Sequence, residues 1–397
     1  MRFSARTDWN TEETELARAH SRRREDGLPV ADLTASNPTR CGFAYPEPLL
    51  QALADPAALD YDPQPRGLLQ AREAVCAYYA GHGAQIDPAQ VILTTSTSEA
   101  YSFLFRLICN PGEEVLILQP GYPLFDFLAT LDDIRLQPVS LVYDHGWQID
   151  PEALRRAITP ATRAIVVVHP NNPTGHFTKS WEAAELARLC RDFNLSLIVD
   201  EVFLDYGFAG RPSSFASGLE DVPVFVVSGL SKIAGLPQMK AAWIVATGPE
   251  QARALDRLEV IADTFLSMNA PVQRALPAWL GSRRSIQEQI LRRIRTNLDE
   301  LDRQLAAIPA AHRLIVEGGW YAVLRIPAIQ PDEKTVLELL QQGVWLHPGY
   351  FFGLPESGWL VASLLTPEME FSTGTAKLVN FLGTNHGSNS TPGQPHV

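Results

Sequence analysis

Short apolar runs alternate with segments whose apolar positions recur at helical spacing through the middle of the chain. The clearest runs are EEVLILQP, RAIVVVHP, LSLIVDEVF, VPVFVVSG and AAWIVAT. This alternation predicts an α/β layer architecture with a largely parallel sheet between helices. Each run ends in polar, Gly or Pro residues, and in open α/β sheets ligands sit beyond the C-terminal ends of the strands. SWEAAELARLCRDFN reads as an amphipathic helix, and SRRSIQEQILRRIRTNLDELDRQLAAI as a long polar helix with an apolar stripe. WYAVLRIP and GVWLHPG then suggest a smaller α/β unit. The expected organisation is an N-terminal segment, 1–44, packing with the small domain, a large domain over 45–275 and a small C-terminal domain over 276–383. Residues 384–397, rich in Gly, Ser, Asn and Pro, read as a disordered tail, and no internal repeat interrupts this plan.

Composition narrows the partners. The 397 residues carry a formal charge of -12, which argues against nucleic acid or an anionic membrane, because both demand a cationic face. No apolar run approaches the roughly 18 residues of a membrane-spanning helix. The start, MRFSARTDWNTEETELARAHSRRRED, lacks the apolar core of a secretory signal, so a cytoplasmic protein is expected. Cys41, Cys76, Cys109 and Cys190 are widely spaced, with no C-x-x-C pair and no zinc-like cluster. They read as ordinary thiols, and no metal is expected.

Four strand endings carry distinctive residues in a fixed order: QPGYP with Tyr122, HPNNPTG with Asn172, VDEVF with Asp200 and SGLSK with Lys232. Singly, each has a plain structural role as a turn, cap or packed aromatic. Jointly, from about Asn37 to Ser363, they resemble the fold type I, class I/II pyridoxal-phosphate aminotransferases. The resemblance is carried by YDPQPRG (Tyr61–Gly67), PGYP (Pro120–Pro123), NPTG (Asn172–Gly175), Asp200-Glu201 and Ser231-Lys232.

The resemblance implies pyridoxal 5′-phosphate as cofactor and a large domain with a mostly parallel sheet plus a smaller α/β domain. Lys232 would be the amine that condenses with the cofactor aldehyde as a Schiff base, a role that suits a strand-end lysine in a dry site. Asp200 would pair with the protonated pyridine nitrogen, Asn172 would hydrogen-bond the phenolate oxygen and Tyr122 would stack on the ring. Ser96 and Thr97, where VILTTSTSEAYSFLF passes from strand to helix, would meet the phosphate with backbone N–H groups. Ser96 stands where the family commonly has glycine, which is tolerable if its φ is negative. Lys240, eight residues after Lys232, stands where the family usually has a phosphate-binding arginine; it keeps the charge without the bidentate fork. Tyr61 resembles the tyrosine that reaches the phosphate of the neighbouring subunit, which implies a homodimer with shared sites.

Two departures stand out. Phe203 replaces a tyrosine that often bonds the cofactor phenolate, so one donor is missing and a raised imine pKa is expected. In GWLVASLL, Val361 stands where an arginine usually binds the substrate carboxylate, and no arginine follows Arg325. The segment SNPTR resembles the family's substrate-side loop, which implies substrate contacts for Asn37 and Arg40; either Arg40 takes over the carboxylate or the substrate is uncharged there. The expected reaction is ping-pong transfer of an amino group from an amino acid or amine to an oxo acid. The same constellation also allows elimination or decarboxylation, and aminotransferase-like domains also serve as effector sensors. For a sensor fused to a winged helix, the segment before Asn37 is short and the chain acidic.

Overall fold

In the computed structural model, residues 1–209, 213–219 and 221–387 are described. The apolar runs become β1 (Val91–Thr94), β2 (Glu114–Gln119), β3 (Arg135–Ser140), β4 (Thr162–Val168), β5 (Ser196–Asp200), β6 (Val224–Gly229) and β7 (Ala242–Thr247). They form one sheet in the order β1-β7-β6-β5-β4-β2-β3. Pairing is parallel from β3 through β6. β7 alone is antiparallel to both its neighbours. The central strands are mostly apolar and buried at nearly every position because both their faces are covered.

On one face Ile92, Val166, Ile198, Val227 and Ile244 pack with Phe103 and Leu104 of the helix Thr97–Ile108 and Leu258 of the helix Gln251–Phe265. Each such fully buried side chain contributes about 1.5–3 kcal/mol. Trp243, fully buried, donates its indole N–H to Tyr79 Oη of the helix Leu69–Ala80 at 3.1 Å.

The chain divides into two compact units. The first takes in 1–9, 43–289 and 317–319; the second, 10–42, 290–316 and 320–397. Two differences from the expected limits have local causes. Residues 276–289 group with the large unit because Trp279 Nε1 donates to the Leu49 carbonyl at 2.8 Å and Gln287 Nε2 to that of Ile233 at 2.8 Å. Residues 1–9 do not join the small unit, since Arg6 Nε bonds Asp133 at 2.7 Å and Trp9 meets Phe127 edge-on.

In the second unit, strands Tyr321–Arg325 and Trp359–Ser363 pair antiparallel at the centre of a four-stranded sheet. The long helix Arg284–Leu305 buries Ile286, Ile290, Ile294, Asn297, Leu301 and Leu305, the stripe its sequence announced. Asn297 is tolerated in that stripe because its amide donates to the carbonyls of Leu364 and Thr366. The last helix, Glu368–Gly387, continues past the expected boundary at 384, and the rest of the tail lies outside the described residues. No helix of the described residues is long and apolar enough to cross a membrane.

Candidate active site

Strand direction gathers the candidates at one sheet edge. β1, β6, β5, β4 and β2 all point the same way, so the residues after their ends share that edge: Ser96 and Thr97, Lys232, Asp200, Asn172 and Tyr122. β7 runs the other way, so its start lies there instead. Ala242 pairs with both Thr94 and Gly229, and Lys240 just before it stands between the endings of β1 and β6. The reversal, which the apolar pattern did not reveal, is what brings the second lysine to the same edge as the first.

Asp200 closes β5 and is 7% exposed. Its Oδ1 accepts the Val202 N–H at 3.0 Å and its Oδ2 accepts the Tyr101 hydroxyl at 3.1 Å. Burial outweighs the two hydrogen bonds and the charge of Lys232, which act the other way, and raises its pKa to about 6. Lys232 sits in the short helix Leu230–Ile233 at the end of β6. Its carbonyl accepts the Tyr206 hydroxyl at 2.7 Å, and its amine lies 5.7 Å from the centre of the Phe203 ring. Burial of the amine lowers its pKa to about 8 against the opposing pull of Asp200. Tyr101 and Tyr206 were not singled out in the sequence. The one available signal is that a buried tyrosine must find a partner for its hydroxyl.

Ser96 has a φ of -160°, so no glycine is required there, and its Oγ caps the helix by accepting from the Glu99 N–H at 3.1 Å. Glu99 turns back to the Thr95 N–H at 2.7 Å. The N–H groups of Thr97 and Ser98 have no partner within the helix and are left for an anion. Lys240 is exposed in a left-handed conformation, with φ 51°. Tyr122 meets Phe125 edge-on at 5.8 Å. Asn172 is buried, with Oδ1 lacking a partner among the described residues.

Tyr61 is 81% exposed and lines an open cleft with Leu59, Leu266 and Met268. Asn37 and Arg40 belong to the second unit. There Asn37 Oδ1 accepts from Thr39 N at 3.1 Å and from its hydroxyl at 2.7 Å, capping the turn Pro38–Arg40 whose last residue is exposed. Val361 is fully buried opposite Val323 and offers no charge. Arg325 is engaged by the Gly358 carbonyl at 2.9 Å and the Trp359 ring at 4.4 Å.

These residues fit pyridoxal 5′-phosphate. An ionised carboxylate has room for about four hydrogen bonds, and Asp200 accepts two from the groups named above. The side chain of Asn172, whose Nδ2 is the group able to donate to a phenolate oxygen, the deprotonatable Lys232 and the open helix N-terminus supply the other contacts such a molecule needs. No cluster able to hold a metal ion occurs among the described residues.

Comparison with known proteins agrees. The family model for aminotransferase class I and II matches residues 44–370. The chain is 28% identical over 379 residues to the glutamate-pyruvate aminotransferase AlaA of Escherichia coli K12, covering 92% of this chain and 93% of that one. It is 29% identical over 381 residues to an alanine aminotransferase of Mycobacterium bovis, covering 91% and 88%. In fold it matches an alanine aminotransferase from Pyrococcus furiosus with a TM-score of 0.87, at 24% identity, over 96% of this chain and 100% of that one. The family favours amino transfer over the elimination and sensor readings. With this fold and this match over most of its length, the chain belongs to the class I and II aminotransferases, enzymes of fold type I that depend on pyridoxal 5′-phosphate.

Proposed function

We propose that amino transfer in this chain is organised by Lys232 and Asp200, one at the end of each of two neighbouring parallel strands. The observation that carries the reading is their placement: the half-buried Lys232 follows β6 and the buried Asp200 closes the adjacent parallel strand β5, and the pKa of the amine is lowered to about 8. When bound, pyridoxal 5′-phosphate supplies an aldehyde and an electron-withdrawing ring. Asp200 holds the ring nitrogen in its protonated form, and Asn172 donates to the phenolate oxygen. Tyr122 covers one face. The N–H groups after Ser96, beginning with Thr97, hold the phosphate together with Lys240, whose single ammonium replaces a guanidinium fork. Lys232 would anchor the cofactor until the donor amine displaces it, and its freed, neutral Nζ would then take the proton from the substrate Cα and deliver it to the carbon that had been the cofactor aldehyde.

The working form is a homodimer in the cytoplasm, with Tyr61 of the partner subunit completing each phosphate site. The exposed Tyr61 beside apolar Leu59 and Leu266 supports the dimer. Four free thiols suit a reducing compartment.

The substrates are an amino acid or amine and an oxo acid. Relatives named for glutamate and pyruvate, alanine and tyrosine define the first panel. Arg40, exposed beside Asn37, is the proposed carboxylate anchor in place of the missing arginine at Val361. The test is transfer from a panel of amino acids and simple amines to pyruvate or 2-oxoglutarate by wild type and Arg40→Ala. Transfer from amino acids that Arg40→Ala weakens supports both assignments. Unchanged amino-acid kinetics removes Arg40, and release of pyruvate and ammonia without an acceptor would make the enzyme a lyase.

A further inference from the structure

Asp200 has a second organiser, on another element. The helix Thr97–Ile108 turns Tyr101 inward, where the residue is 2% exposed. Phe125 meets its ring edge-on at 5.0 Å and 82°, and Phe105 lies at 5.8 Å. A ring held this way has little freedom to redirect its hydroxyl, which donates to Asp200 Oδ2 at 3.1 Å. The phenol stays protonated, because burial and the neighbouring carboxylate raise its pKa well above the usual value. It is therefore a fixed donor.

Position in the helix adds to this. Tyr101 follows Thr97 by four residues, about one turn. The N–H groups proposed for the phosphate and the hydroxyl that grips the carboxylate therefore ride on one rigid element, itself packed on the sheet through Phe103 and Leu104. Val202 N–H takes Oδ1 and Tyr101 takes Oδ2, so the carboxylate is held at both oxygens while lone pairs remain for a ring N–H.

We infer that Tyr101 is a positioning residue for Asp200: its hydroxyl fixes the carboxylate and shares its charge, setting how firmly and over what pH range Asp200 holds the cofactor's ring nitrogen. The inference rests on the Asp200 role proposed above. Three further ionisable groups act on or with this carboxylate: Lys232 from the end of β6, Glu201 next along the chain, and Tyr79 from the helix Leu69–Ala80. None is altered by removing one hydroxyl.

The test is Tyr101→Phe, which keeps the ring and its packing. The full chain carrying 13Cγ-labelled aspartate is titrated by NMR without cofactor, with the Asp200 signal assigned by its loss in Asp200→Asn. Removing a donor to the ionised form raises a carboxyl pKa, so Asp200 should titrate about one unit higher in Tyr101→Phe. The dissociation constant of pyridoxal 5′-phosphate should then weaken about fivefold near pH 6 and change little near pH 8. A purely structural role would leave the Asp200 titration unmoved or weaken binding equally at both pH values, and either result overturns the inference. The Asp200 role has its own readout: if 15N-labelled cofactor shows the same ring-nitrogen protonation in Asp200→Asn as in wild type, that role fails, whatever Tyr101→Phe does.

Discussion

A lysine that works as a nucleophile near neutral pH needs a site that disfavours its charge without removing every neighbour that tolerates it. Lys232 meets that requirement through burial, with Asp200 limiting the shift. Lys232→Ala should lower amino transfer by roughly a hundred- to ten-thousandfold, as measured in steady-state kinetics, while leaving the fold intact. The ring of Phe203 lies over the Lys232 amine and offers no hydroxyl. Phe203→Tyr should restore a donor to the cofactor's phenolate, so the absorbance of loaded protein should titrate at lower pH than in wild type. A titration at equal or higher pH would count against that placement. Residues at strand ends were legible in the sequence because their types and order are distinctive. Tyr101 and Tyr206 were not, because a tyrosine among apolar neighbours reads as core until its hydroxyl is seen to reach a carboxylate or a carbonyl.

The elements that carry these residues impose their own costs. Glu201, next to Asp200, is fully buried and accepts from Ser214 Oγ at 2.7 Å and Phe215 N–H at 2.6 Å, yet burial pushes its pKa up to about 8. The folded chain thus keeps a proton that the unfolded chain releases at its ordinary carboxyl pKa. The stability this contributes is complete below the unfolded value of 4.5 and is lost as pH rises towards about 8. Urea unfolding of the cofactor-free protein should show Glu201→Gln with a smaller loss of stability over that range, the difference being on the order of a few kcal/mol. Parallel slopes would rule this out. Gly229 ends β6, and a Cβ there would lie 2.8 Å from Ala242 Cβ and 2.9 Å from the Ala241 carbonyl. Gly229→Ala should cost about 1–3 kcal/mol in urea unfolding and weaken cofactor binding, because the displaced turn carries Lys232. The strands and the stripe of the helix Arg284–Leu305 were readable from apolar periodicity. The reversal of β7 was not, since an apolar run looks the same in either direction, and the limits of the units follow tertiary packing, such as that of the helix Ala270–Ser282 on the helix Leu69–Ala80.

At the scale of the whole molecule, the proposed dimer makes a prediction that a monomer cannot. If Tyr61 acts across the interface, mixing Tyr61→Ala with Lys232→Ala protein under exchange conditions should yield heterodimers with one intact site. Activity should then rise above that of either variant alone. No recovery, with heterodimers demonstrated by mass, would confine Tyr61 to its own subunit. The fold class was legible because runs and helices alternate through the middle of the chain, whereas the substrate was not: Val361 says only which charge is missing. The most direct measurement of the central claim is borohydride reduction of the protein loaded with pyridoxal 5′-phosphate, followed by peptide mass mapping. The added pyridoxyl mass should fall on the peptide containing Lys232; a label on any other lysine, Lys240 included, would contradict the account.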